Sequence, residues 1–70
     1  MLQDEQTLRR TVAKNIAAYR KSHKDTQLDL ARKLNYSDKS VSKWERGEGL
    51  PDVYILAQIA QLYGVTVSRP

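Results

Sequence analysis

Apolar residues recur in the first third of this chain at intervals of three and four, which is the spacing of one face of a helix. The stripe consists of Leu8, Val12, Ile16 and Tyr19, and it predicts an amphipathic helix of about four turns that ends near Ser22. The chain has no Asn-Gly or Asp-Gly pair and no sustained alternation of apolar and polar residues, so sheets are not expected. The pattern therefore predicts an all-α fold.

Two short helices follow, each with its own start and stop signals. Thr26 and Asp29 form a capping-box pattern that marks a helix start, and Asn35 tolerates the left-handed conformation that closes a helix. Ser37 is predicted to cap the next helix, and Gly47 is predicted to end it. The residues expected to face inward are Leu30, Ala31, Leu34, Val41 and Trp44.

A fourth helix is predicted after a short loop. Asp52 is expected to cap it, the helix is expected to run to Tyr63, and Gly64 is its stop signal. Residues 65–67 are a candidate for the start of a short fifth element. The sequence thus predicts a bundle of four to five helices.

Length and composition limit the classes of function that remain. Seventy residues are near the lower limit for a self-sufficient core, and we expect one domain over residues 1–70 with its core at about residues 8–67. The absence of cysteine and the single histidine, His23, exclude disulfides, a thiolate or histidine-based metal cage and a Ser-His-Asp triad. There is no acid dyad at plausible spacing and no glycine-rich phosphate loop. We therefore expect no catalysis, no cofactor and no metal.

The positive charge of the chain is unevenly distributed. The formal net charge is +4 and the sequence pI is about 9.6. Residues 1–47 hold eleven Lys and Arg against six acids, giving +5, whereas residues 48–70 hold one Arg and two acids, giving −1. This asymmetry suggests a part that faces a polyanion and a part that serves as scaffold. A soluble surface that is merely rich in lysine would look the same on charge alone.

The most informative feature is the spacing of the two short helices. They are separated by the three residues Asn35-Tyr36-Ser37, which is the length pattern of a helix-turn-helix spanning residues 27–46. In such a unit the second helix lies in the major groove of DNA. Ala31, a small residue within the first of the two helices, would let them cross closely.

These residues resemble the phage repressor and Cro type of helix-turn-helix, the xenobiotic-response-element family, whose fold is the lambda-repressor-like DNA-binding bundle. The matching pattern is Thr26-Gln27-x-x-Leu30-Ala31-x-x-Leu34-x-x-Ser37-x-x-x-Val41-Ser42-x-x-Glu45-x-Gly47, followed by Pro51 and the apolar helix 52–63. The resemblance covers about residues 16–67.

The resemblance implies roles for individual side chains. The residues expected to read bases are Asp38, Lys39, Ser42 and Lys43. A lysine can donate to guanine O6 and N7, and Asp38 can accept from a cytosine amine, although an acid in a first helical turn also suits the helix dipole. The residues expected to contact the DNA backbone are Gln27, Tyr36, Ser37 and Arg46. For Gln27, the alternative is that it braces the first reading side chain.

Arg20 and Glu45 match a family pair that forms a buried salt bridge between the first and third helices. The chain also departs from the family pattern in three places: Asn35 replaces a glycine, Lys24-Asp25 replaces a Gly-Leu-like pair, and the family's last helix is missing or truncated after Val67. The second departure removes the hydrophobic staple before the second helix. The third departure affects dimerisation, because the missing or truncated helix is often part of the family's dimer contact. The chain is expected to be the N-terminal piece of a longer regulator.

We expect a sequence-specific, repressor-like transcription regulator that binds double-stranded DNA with residues 38–46 in the major groove. Its expected partner besides DNA is a second copy, forming a homodimer on a palindromic operator. The alternative is a protein-interaction adaptor or antitoxin module with the same fold, which would expose apolar rather than basic residues on the third helix. No apolar run reaches ~18 residues, and the N-terminus is unlike a signal peptide. The expected location is the cytoplasm of a bacterial or phage-type system, in association with the nucleoid.

Overall fold

The computed structural model describes residues 4–64, and within that range the only regular secondary structure is α-helix. The four helices are α1 (Glu5–Ser22), α2 (Gln27–Leu34), α3 (Asp38–Glu45) and α4 (Val53–Leu62). The predicted all-α class is confirmed, and the candidate fifth element at residues 65–67 lies outside the described residues. None of the described helices is long and apolar enough to cross a membrane.

Each helix begins where a short polar side chain accepts a hydrogen bond from the backbone N–H three residues later. The four N-caps are Asp4, Thr26, Ser37 and Asp52, with donor–acceptor distances of 2.7, 3.0, 3.2 and 2.9 Å. At α2 the predicted capping box is complete, because the Thr26 N–H also donates to the Asp29 carboxylate at 2.8 Å. The Asp4 cap was not predicted from the sequence.

Two of the predicted helix ends depend on the left-handed backbone conformation. Asn35 has φ 63° and ψ 40°, so it closes α2 as predicted. The Tyr36 N–H then donates to the carbonyl of Ala31 at 2.8 Å, and the chain enters α3 at Ser37. Gly47 ends α3 in the same region, with φ 73°. The three-residue turn therefore has the geometry that the sequence predicts.

The centre of the core lies where α2 crosses α3. Leu30, Ala31 and Val41 are completely inaccessible to solvent, and the small side chain of Ala31 permits the close approach of the two helices. The remaining residues of this core cluster are Ile16, Leu34, Trp44, Ile55, Ile59 and Tyr63. This packing fixes α3 against α2 and leaves the opposite side of α3 facing solvent.

The predicted stripe on α1 was wrong at both ends. Leu8 is 42% exposed and Tyr19 is 37% exposed. The buried face of α1 runs instead through Ala13, Ile16 and Arg20. The C-terminal position of this face is taken by a charged residue, Arg20, whose burial no apolar pattern indicates. On α4, Leu62 is likewise more exposed than its apolar character predicts.

The loop between α1 and α2 is held by polar contacts in place of a hydrophobic staple. Arg20 Nη1 donates to the carbonyl of Asp25 at 2.8 Å. The Asp25 carboxylate accepts from Lys33 Nζ at 2.8 Å and from the Tyr63 hydroxyl at 3.0 Å. The hydrogen bond from Lys33 lowers the pKa of Asp25, and burial together with the Asp25 carboxylate raises the pKa of Tyr63. Asp25 thus joins the loop to α1, α2 and the end of α4.

Replacing Lys24 by glycine is expected to stabilise the fold. Lys24 has φ 60°, a left-handed conformation that costs a residue with a β-carbon about 1–2 kcal/mol. Glycine avoids this strain, but its greater conformational entropy in the unfolded chain offsets part of the gain. We expect the free energy of unfolding, measured with urea, to rise by about 0.5–1 kcal/mol. The matched control is Lys14→Gly, at an exposed position within α1. Its free energy of unfolding should fall by about 1 kcal/mol, because glycine is unfavourable inside a helix. A lower unfolding midpoint for Lys24→Gly would contradict the left-handed loop.

Candidate nucleic-acid interface

An open cleft of about 460 Å³ lies along the solvent-facing side of α3. Its lining consists of Gln27, Asp38, Lys39, Ser42, Lys43, Arg46 and Glu48. The structure therefore brings together all four residues predicted to read bases and two of the four predicted to contact the DNA backbone. Glu48 was not predicted.

The other two predicted backbone contacts lie in the turn before α3 and do not line this cleft. The ring of Tyr36 packs against Trp44 at a centroid distance of 5.5 Å, yet the residue is 44% exposed. The hydroxyl of Ser37 accepts from the Ser40 N–H as the cap of α3. Both residues are exposed at the N-terminal end of α3, and Trp44 belongs to the core, as predicted.

The two lysines of the cleft have unengaged ammonium groups. Lys39 and Lys43 are exposed, and within residues 4–64 neither forms an ion pair. They lie four residues apart on α3, so both project from the same side of the helix. Asp38 lines the cleft as well and lies in the first turn of α3, so a base contact and a favourable helix-dipole contact are both compatible with its position.

Arg20 and Glu45, the pair that the family resemblance implies, form a buried ion pair between α1 and α3. Arg20 Nε lies 2.6 Å from Glu45 Oε2, and Arg20 Nη2 lies 2.9 Å from Glu45 Oε1. The side chains are only 10% and 8% exposed. This is the bidentate arrangement in which a planar guanidinium matches a carboxylate.

Gln27 is attached to the same pair. Its amide Nε2 donates to Glu45 Oε1 at 3.1 Å, so Glu45 accepts hydrogen bonds from both α1 and α2. Burial alone would raise the pKa of Glu45, but the hydrogen bonds from Arg20 and Gln27 outweigh it and lower that pKa. Gln27, which lines the cleft, is thereby held by Glu45. It makes no hydrogen bond to the predicted reading side chains among the described residues.

The guanidinium of Arg46 is hydrogen-bonded to two other side chains of the protein. Its Nε and Nη2 groups donate to the two carboxylate oxygens of Glu48, each at 3.0 Å, and its Nη1 group donates to the hydroxyl of Ser42. The side chains of Arg46 and Glu48 are each more than half exposed. The signal that could have revealed Glu48 is the order Arg46-Gly47-Glu48, because a glycine at the end of a helix turns the chain back on itself.

Replacing Arg20 by methionine is expected to lower the free energy of unfolding by about 3–5 kcal/mol, because Glu45 would stay buried without its cation. Urea unfolding followed by circular dichroism measures this loss. The double variant Arg20→Met, Glu45→Met should lose less, since no uncompensated charge remains. As a control, Arg9→Met breaks the exposed Arg9–Glu5 pair and should cost at most about 1 kcal/mol. Equal losses for Arg20→Met and Arg9→Met would contradict the structural role of the buried pair.

Residues 16–69 match the helix-turn-helix family model. Among solved structures, the chain is similar to the hypothetical transcription factor NHTF from Neisseria, with 30% identity, coverage of 94% of this chain and 76% of that one, and a TM-score of 0.79. It is also similar to the clp gene regulator ClgR from Corynebacterium glutamicum, with 25% identity, coverage of 93% and 69%, and a TM-score of 0.82. Comparison with curated proteins gives no match.

Proposed function

The chain belongs to the helix-turn-helix family of DNA-binding regulators, and on that premise we propose that it binds a specific double-stranded DNA sequence as a repressor-like transcription regulator. In this proposal residues 38–46 enter the major groove. The observation that carries it is the cleft on the exposed side of α3, where Lys39 and Lys43 have no partner among residues 4–64.

The chemistry of the cleft suits the edges of base pairs. The major groove admits an α-helix, and its guanine edges present two acceptors while cytosine presents a donor. Lys39 and Lys43 supply donors for guanine, Asp38 supplies an acceptor for cytosine, and Ser42 can act as either. We assign base reading to these four residues, which share one face of α3.

Contacts to the sugar-phosphate backbone would flank this face. Gln27 is the first residue of α2 and Arg46 is the C-cap of α3, and both line the cleft. Tyr36 and Ser37 lie in the exposed turn between those helices. Such contacts fix the register of a protein on the duplex without reading its sequence.

We further propose that two copies bind a palindromic operator, with half-sites about one helical turn apart. Val53 and Tyr54, at the start of α4, are 80% and 69% exposed, and they lie outside the cleft. They offer an apolar surface for the second copy. The adaptor alternative has less support, because the exposed side of α3 is polar and basic rather than apolar.

Binding to duplex DNA is expected to weaken steeply as salt rises. Each phosphate that a lysine or arginine neutralises contributes about −0.9 to the slope of log K against log salt. A site selected from a random DNA library provides the cognate duplex, and fluorescence anisotropy over a salt series gives the slope. Absence of binding at low salt, or binding without salt dependence, would refute the proposal.

Replacing Lys43 by alanine is expected to relax sequence preference at one base pair by about 1–3 kcal/mol, because a base contact is lost. The measurement compares anisotropy affinities for the cognate duplex, for duplexes altered at single positions and for random DNA. Lys14→Ala removes the same charge from an exposed position on α1 and serves as the matched control. If Lys43→Ala weakens cognate and random DNA equally, Lys43 does not read a base.

A further inference from the structure

The end of α3 places an acidic side chain in the cleft. Gly47 turns the backbone with φ 73°, and its N–H donates to the Trp44 carbonyl at 3.1 Å, while the Glu48 N–H donates to the Lys43 carbonyl at 3.0 Å. These are the two hydrogen bonds of a Schellman motif. The backbone of Glu48 is therefore fixed relative to α3, and its side chain lies beside Arg46.

Glu48 and Ser42 together hold the guanidinium of Arg46. Both carboxylate oxygens of Glu48 accept from Arg46, and the Ser42 hydroxyl accepts from Nη1. These contacts occupy three of the five N–H groups that a guanidinium carries. One N–H remains on each terminal nitrogen, so Arg46 keeps the capacity to donate to a phosphate while its orientation is set by the protein.

Glu48 also changes the charge of the surface that would face DNA. The cleft holds three cationic side chains, Lys39, Lys43 and Arg46, against two anionic ones, Asp38 and Glu48, so its net charge is only +1. Attraction to phosphates is independent of sequence and dominates binding to random DNA. A carboxylate in the cleft therefore weakens the non-specific component of binding.

We propose that Glu48 is a positioning residue that raises the preference of the domain for its cognate site over random DNA. Held in one orientation against Ser42, Arg46 meets a phosphate only when α3 is seated in the cognate register. Without Glu48, the arginine can turn toward a phosphate in any register. This inference rests on the proposed DNA-binding function and on the backbone contact assigned to Arg46.

The test compares Glu48→Gln and Glu48→Asp with the wild-type chain on the selected cognate duplex and on a random duplex, over a salt series. Glu48→Gln should bind random DNA more tightly than the wild-type chain does. Its slope of log K against log salt should be steeper by about 0.9, the contribution of one additional phosphate contact. The ratio of cognate to random affinity should fall roughly twofold to fivefold, the range expected for an exposed ion pair. Glu48→Asp keeps the charge but is one methylene too short to span Arg46 in the same way, so its ratio should also fall.

The matched control is Glu5→Gln, which removes an acid paired with an arginine, Arg9, on α1 and outside the cleft. It should leave the affinity ratio unchanged. An unchanged ratio in Glu48→Gln, or a wild-type ratio in Glu48→Asp, overturns the positioning role of Glu48 while leaving the proposed DNA binding intact. A wild-type chain that binds neither duplex overturns both.

Discussion

The buried ion pair between Arg20 and Glu45 is the interaction on which the arrangement of this domain depends. Two charges almost removed from water are tolerated only when hydrogen bonds satisfy their remaining polar atoms. Arg20 meets this requirement through Glu45 and the carbonyl of Asp25, and Glu45 meets it through Arg20 and Gln27. The pair therefore connects α1, the following loop, α2 and α3. Because a buried pair adds little net stability compared with apolar packing, we interpret its role as fixing orientation.

Apolar packing and this polar network hold different parts of α3. Leu30, Ala31 and Val41 fix the crossing of α2 and α3 on the inner side. The network then connects the end of α3 to α1, and the contact between Asp25 and Tyr63 connects it to the end of α4. An eight-residue helix is marginal in isolation. Attachment at its inner face and at its C-terminal end leaves its outer face available without loss of order.

Local signals predict most of this fold, because helix ends are decided by residues close in sequence. Thr26, Asn35 and Gly47 act through their own backbone and side-chain geometry, and the helix bounds near them follow from the sequence. The face of α1 that is buried does not follow from such local signals. The burial of Arg20 depends on Glu45, twenty-five residues away. The apolar stripe gives no indication of that partner, and only the resemblance to a known family implied the pair.

The same distinction explains what the sequence reveals of the candidate site. Asp38, Lys39, Ser42 and Lys43 share one helix face, so their convergence follows from helical spacing, whereas Glu48 enters the cleft only because Gly47 reverses the backbone. The overall charge of +4 consequently overstates the positive charge that DNA would meet at the cleft. A surface with more cations would attract any duplex more strongly. In the proposed mode of binding, discrimination instead benefits from a cation whose direction is fixed, as that of Arg46 is by Glu48 and Ser42, and from an acid that limits phosphate binding elsewhere.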